Sequence, residues 1–139
     1  MQETRLNEYK QIPSTLLDYK HLYHINFCGA TNEDPGSGIL IFVKKTEDIL
    51  KEAILVQGRL TYIQTKNKVT GNVSNLFSFY GKSNVSEAYA NMLISKIDGE
   101  ITNNSLENNI VCGDFNFVTS TIDRNSNNFT QTPGQHIYE

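Results

Sequence analysis

Ile110-Val111-Cys112-Gly113-Asp114-Phe115-Asn116 joins three apolar, β-prone residues to a glycine and two short polar side chains flanking an aromatic. The first three read as a short buried strand that emerges into a loop at Gly113. In extended backbone, side chains two apart point the same way, so Asp114 and Asn116 are expected to face one site while Phe115 turns into the core. Gly113 lets another group approach the backbone closely. A carboxylate beside an amide suits phosphodiester hydrolysis, in which one oxygen orients a water or a metal and the amide donates to a phosphate oxygen. The same four residues also suit an Asx turn that closes a strand.

Upstream, the hydrophobic period changes to about 3.6, because Val85, Ala88, Tyr89, Met92, Leu93 and Ile97 fall on one helical stripe. Asn84 with Glu87 three residues on forms a capping-box-like start, and Gly99 a stop. Before this helix the chain reads as strands. Asp18–Cys28 carries Tyr19, Leu22, Tyr23, Ile25 and Phe27, a β-prone mixture. Ile39-Leu40-Ile41-Phe42-Val43 is a continuous apolar run suited to a strand buried on both faces. Glu52–Gln57 and Arg59–Thr65 flank Gly58 as a hairpin, Asn67–Gly71 is a second turn, and Asn72–Tyr80 is a further strand. From Thr119 onward apolar periodicity is lost. No repeat or low-complexity linker divides the chain, so residues 1–139 are read as one domain.

Composition narrows the chemistry. The 38% hydrophobic content is enough for a core without disulfides. Cys28 and Cys112 have neither metal-ligand spacing nor a disulfide framework, and both read as small buried thiols in a reducing compartment. No apolar run reaches the length of a membrane span, and residues 1–12 are polar and charged, so the chain reads as intracellular with no membrane partner. The net charge of −3 argues against a broad basic surface for nucleic acid. It leaves room for an acidic nuclease, in which a bound cation carries the positive charge to the phosphate. His21 and His24 lack a carboxylate in register and read as ordinary surface or half-buried residues, and His136 is given no catalytic role. There is no nucleophile elbow, no Cys/His cluster and no phosphate-binding glycine loop.

Gln2-Glu3-Thr4 opens the chain, Ser78-Phe79-Tyr80 ends a strand before the helix, and Gly113-Asp114-Phe115-Asn116 follows the strand after it. In this order and spacing the sequence resembles the endonuclease/exonuclease/phosphatase superfamily, which carries a Gln-Glu motif, an Asn-x-Tyr-like strand end, a helix and Gly-Asp-(Phe/Leu)-Asn. Phe115, Phe117-Val118, Asp123-Arg124 and the glycine-led strand Gly38–Val43 are most similar to the LINE-type (non-LTR) retrotransposon branch. The resemblance implies an α/β fold, part of the DNase I-like four-layer sandwich in which two mixed β-sheets pack face to face under outer helices. It also implies roles. Glu3 would be a ligand of Mg²⁺, with Mn²⁺ as a substitute, since a hard cation is held by one or two carboxylates and water. Tyr80 would contact the scissile phosphate, Asp114 would orient the attacking water, Asn116 would hold a phosphate oxygen, and Arg124 would touch the DNA backbone.

The implied activity is Mg²⁺-dependent nicking of DNA in the nucleus, with no small-molecule cofactor. Alternatives are an apurinic-site endonuclease, another phosphoesterase of the same fold, or a non-catalytic truncated relic. Two departures stand beside the match. Ser78-Phe79-Tyr80-Gly81-Lys82 lacks the asparagine and proline of the family's Asn-x-Tyr-x-Pro. The family's first strand and its closing Ser-x-x-Asp and Ser-Asp-His motifs have no counterpart between Met1 and Glu139, so the domain is expected to need flanking segments.

Overall fold

A computed structural model describes residues 1–83, 86–104 and 108–116. Strands β1 (Tyr23–Cys28) and β2 (Ile39–Lys44) form an antiparallel pair, with Tyr23 opposite Lys44 and Cys28 opposite Ile39. Strands β3 (Glu47–Val56), β4 (Leu60–Asn67), β5 (Val73–Tyr80) and β6 (Asn109–Asp114) form a second sheet in that order. Its first three strands are antiparallel, and β6 runs parallel to β5. A short helix α1 (Ser14–Leu17) lies before β1, and a long helix α2 (Glu87–Asn104) connects β5 to β6. The parallel pair requires such a crossover, because a tight turn can join only antiparallel neighbours. This is the α/β sandwich arrangement expected from the sequence.

The alternation of side chains fixes which layer each residue joins. On one face of the larger sheet Leu60, Tyr62, Phe77 and Phe79 are buried with Leu93 of α2, while Tyr89, Met92, Ile97 and Ile101 pack around them. Tyr62 and Phe77 stack with ring centroids 4.9 Å apart. The intervening residues of the same strands point to the smaller sheet, where the Thr61 hydroxyl reaches the Asn26 side chain of β1 at 3.4 Å. The outer face of β1 meets the N-terminal helical turns, through Tyr9 edge-on to Phe27 and Tyr19 edge-on to Tyr23. Strand β2 is therefore covered on both sides, and Ile39 and Leu40, on opposite faces, are both fully buried. That double cover is why its sequence is a continuous apolar run.

The turns follow local chemistry. Gly58, between β3 and β4, has φ +69°, and an added Cβ would strike the Ser37 side chain. Its amide donates to the Cys28 thiol at 3.0 Å, joining the hairpin to the smaller sheet. The Asn67 side chain accepts from the amides of Val69 and Thr70 at 3.0 and 2.9 Å, an Asx-type closure of the next turn.

Four expectations are corrected. The first half of Asp18–Cys28 is a 3₁₀ turn, Asp18–His21, and the strand begins only at Tyr23. The turn brings Tyr19 over Tyr23, a contact that an extended segment could not make. Helix α2 runs through Gly99 to Asn104, because Ile101 still packs on the core and that contact outweighs the weak glycine stop. Strand β6 is exposed along its length, with Ile110 51% and Val111 41% accessible, since it is the outermost strand next to β5 among the described residues. Cys112, on that strand, is accordingly exposed, whereas Cys28 is buried and its thiol pushed upward in pKa by that burial. The proposed cap at Asn84 and the first stripe residue, Val85, lie outside the described residues.

Leu93 is 2% exposed at the centre of the helix-sheet contact, and Lys96 lies on the outer face. Leu93→Ala is expected to destabilise by about 2–5 kcal/mol. Denaturant unfolding of Leu93→Ala and Lys96→Ala side by side checks this, and equal shifts would contradict the register of α2.

Candidate active site

The site forms where the larger sheet ends. Tyr80 and Asp114 close β5 and β6 as register partners in the parallel pair, so their side chains leave the same face next to each other. The preceding pair is Phe79 and Gly113. Gly113 has φ +155°, and a Cβ there would collide with the Phe79 carbonyl oxygen. Any larger residue would push the two strand ends apart.

The N-terminal segment reaches this point by running beside β2. The Met1 amino group donates to the Leu40 carbonyl at 2.8 Å, the Leu40 amide returns a 2.8 Å bond to the Met1 carbonyl, and Gln2 bridges to Ile39. The Gln2 side chain then crosses to the other sheet. Its Nε2 donates to the Phe79 carbonyl at 2.6 Å, and its Oε1 accepts the Asp114 amide at 2.9 Å. One amide side chain thus satisfies both backbone groups left open where β5 and β6 diverge.

Glu3 follows directly, with a left-handed backbone, φ 54°, as has Arg5 at φ 57°. The Glu3 carboxylate pairs with Arg5 at 2.7 Å. The hydrogen bond and charge of Arg5 hold its pKa below the ordinary 4.5, and smaller contributions come from a hydrogen bond of the Tyr80 hydroxyl and the charge of Arg59.

Asn116 does not continue the strand alternation. It sits at φ 53°, and its backbone amide donates to Asp114 Oδ1 at 2.9 Å. The Asx turn and the side-by-side carboxylate and amide are thus the same structure, and the simple two-residue alternation fails at its last step. Asn116 Nδ2 donates to the Gly81 carbonyl at 2.8 Å, and Phe115 packs on Phe79 with centroids 5.6 Å apart. Arg124 lies outside the described residues, as does His136. His21 is exposed and His24 half-buried.

Two residues that sequence reasoning missed stand behind Tyr80. Arg59, 8% exposed, donates from Nε and Nη2 to the two oxygens of Asp34, each at 2.7 Å. Its Nη1 donates to the carbonyls of Gly81 at 2.9 Å and Tyr80 at 3.3 Å, and its guanidinium lies 4.5 Å from the centre of the Tyr80 ring. Burial lowers the Arg59 pKa, but the hydrogen bonds and charge of Asp34 outweigh it. Hydrogen bonding to Arg59 holds Asp34 below its ordinary value against the opposing effect of burial, with the charges of Arg59 and Lys82 adding to the shift. Asp34, Arg59, Tyr80, Lys82 and Asn116 line a cleft of about 340 Å³.

No protein-family model matches the sequence, and neither does any curated protein. Solved structures do match. Truncated TDP2 from Caenorhabditis elegans superposes with a TM-score of 0.59 at 16% identity, over 90% of this chain and 50% of that one. An endonuclease/exonuclease/phosphatase family protein from Bacteroides thetaiotaomicron gives 0.57 at 16% identity, over 75% and 45%. The human Nocturnin catalytic domain with bound sulfate gives 0.57 at 16% identity, over 83% and 49%. The fold is that of endonuclease/exonuclease/phosphatase proteins. The chain spans about half the length of each of these DNase I-like structures.

Among the described residues no three His, Cys, Asp or Glu side chains converge as a metal cage. Mg²⁺ does not require one, because it binds through one or two carboxylates and keeps several waters. Glu3 is an exposed carboxylate held in its ionised form, so its donor chemistry fits a hard cation, with Arg5 as the competitor.

Two outcomes are expected. Arg5→Ala should move the Glu3 titration upward, followed by carboxyl ¹³C NMR, and an unmoved midpoint would remove Arg5 as the cause. Asp34 has a depressed pKa, so its contribution to stability is present above its ordinary 3.8 and is lost as pH falls below that through the folded value. Asp34→Asn should flatten this acid limb and cost about 3 kcal/mol at neutral pH by leaving Arg59 buried without its charge partner. Denaturant unfolding of both chains across the acid range measures both effects.

Proposed function

We propose that this chain forms part of a metal-dependent phosphodiesterase that cuts DNA, with the endonuclease of LINE-type retrotransposons as the model for its role. The observation that carries the reading is the pairing of Tyr80 and Asp114 at two adjacent strand ends, with Asn116 folded back onto Asp114 and Gln2, the neighbour of Glu3, bonded to both strands. The fold shared with endonuclease/exonuclease/phosphatase proteins supports the class of reaction.

In this reading Glu3 holds Mg²⁺, or Mn²⁺ in its place. When bound, the cation supplies positive charge to a phosphate that an acidic chain cannot otherwise attract. Asp114 has one oxygen engaged by the Asn116 amide, and the other accepts a hydrogen bond from the attacking water and aligns it with the leaving oxygen. The Tyr80 hydroxyl and the second N–H of Asn116 Nδ2 donate to phosphate oxygens as negative charge builds on them. DNA is the substrate and the nucleus the place of action. Further segments of the same domain supply the histidine, aspartate and asparagine that the resemblance calls for.

The chain alone is therefore expected to bind Mg²⁺ weakly and to nick little, since groups that act as a unit lose most of their effect when one is missing. Plasmid nicking and hydrolysis of bis-p-nitrophenyl phosphate, each with Mg²⁺ and with EDTA, test this beside Asp114→Ala. Slow Mg²⁺-dependent turnover that disappears in Asp114→Ala supports the reading. Turnover that survives the substitution overturns the site, and none above the protein-free rate favours the non-catalytic relic.

A further inference from the structure

We infer that Asp34 and Arg59 are positioning residues for Tyr80, setting the direction in which its hydroxyl faces the candidate phosphate site. The inference rests on the reading of Tyr80 as a phosphate contact and extends it to a pair of residues 25 positions apart in sequence.

A strand-end tyrosine is ordinarily free to swing, because its ring has no second sheet residue beyond it. Here the guanidinium of Arg59 covers the ring face at 4.5 Å, an arrangement in which a cation and a π-face attract. The same guanidinium fixes the backbone under the ring, through Nη1 to the carbonyls of Tyr80 and Gly81. The Tyr80 amide in turn donates to the Arg59 carbonyl at 2.8 Å. Backbone and ring of Tyr80 are thus referenced to one residue.

Arg59 needs its own anchor, and Asp34 provides it by a fork-to-fork pair of two 2.7 Å bonds. Asp34 is itself set by its loop, where its amide donates to the Thr31 hydroxyl at 3.0 Å and its carbonyl accepts from the Ser37 hydroxyl at 2.7 Å. Four of the five N–H groups of Arg59 donate to protein oxygens, which commits the guanidinium to the Asp34 loop and to the backbone under Tyr80. The Gly81 carbonyl accepts from both Arg59 and Asn116, which couples the placement of Tyr80 to that of Asn116.

The test places 3-fluorotyrosine at all seven tyrosines, assigns position 80 with Tyr80→Phe, and compares ¹⁹F spectra of the parent, Asp34→Asn and Arg59→Lys. Lysine keeps the charge but lacks the planar fork that covers the ring while reaching the carboxylate. The expected result is a Tyr80 signal displaced toward the unfolded-chain position in both variants. The signal of Tyr62, stacked in the core, should stay where it is in the parent. Where turnover of bis-p-nitrophenyl phosphate is measurable, kcat should fall by roughly 10–100-fold with KM little changed, as for a displaced transition-state contact. An unmoved Tyr80 signal in either folded variant overturns the inference. Displacement of Tyr62 in both variants also overturns it, by assigning the pair to the stability of the whole sheet. Absence of turnover in the parent counts against the phosphodiesterase reading only, because the fluorine comparison still decides whether the pair positions Tyr80.

Discussion

The side-chain amide of Gln2 is the contact on which the arrangement of this protein depends. A parallel strand pair that diverges leaves a carbonyl on one strand and an amide on the other without their next ladder partner, and burying them unpaired costs free energy. Gln2 offers one donor and one acceptor at the spacing of that gap, and bonds Phe79 and Asp114 at once. Because Gln2 belongs to a segment paired with β2, the bond also joins the two sheets. The glycine at 113 is the matching condition, since only a residue without Cβ lets β6 lie so near the Phe79 carbonyl.

From that junction the candidate site follows with few free choices. Tyr80 and Asp114 are register partners, Glu3 is the next residue after the tether, and Asn116 folds back onto Asp114. Each polar side chain is held by the end of a strand or by a turn that closes one. The charge distribution is asymmetric about Tyr80. One side carries the exposed Glu3–Arg5 pair and the other the largely buried Asp34–Arg59 pair. The exposed pair is weak and exchangeable, as surface ion pairs are, whereas the buried one is costly to break.

What could be read from the sequence was whatever depends on neighbours in the chain. The continuous apolar run at Ile39–Val43, the hairpin glycine at 58 and the Asn67–Gly71 turn announce themselves locally, and the structure has a strand or turn at each. The end of α2 could not be read that way, because Ile101 is kept helical by a sheet that the sequence does not display. The exposure of β6 depends on strand order, which no periodicity encodes. Asp34 and Arg59 were invisible for a similar reason. An aspartate in a polar loop and an arginine after a turn each look solvated, and only the tertiary fold brings them within 2.7 Å. The motifs at Gln2-Glu3 and at residues 113–116 were legible as types, while the role of Gln2 as the tether was not.

Glu3, Arg5 and Asn116 all hold left-handed backbone without being glycine. Such a conformation costs an ordinary L-residue roughly 1–2 kcal/mol. These positions therefore mark where robustness and chemistry pull in opposite directions. A protein engineer seeking a hardier scaffold would place glycine there first, and in doing so would strip out the carboxylate and the amide of the candidate site together with the guanidinium that pairs with Glu3.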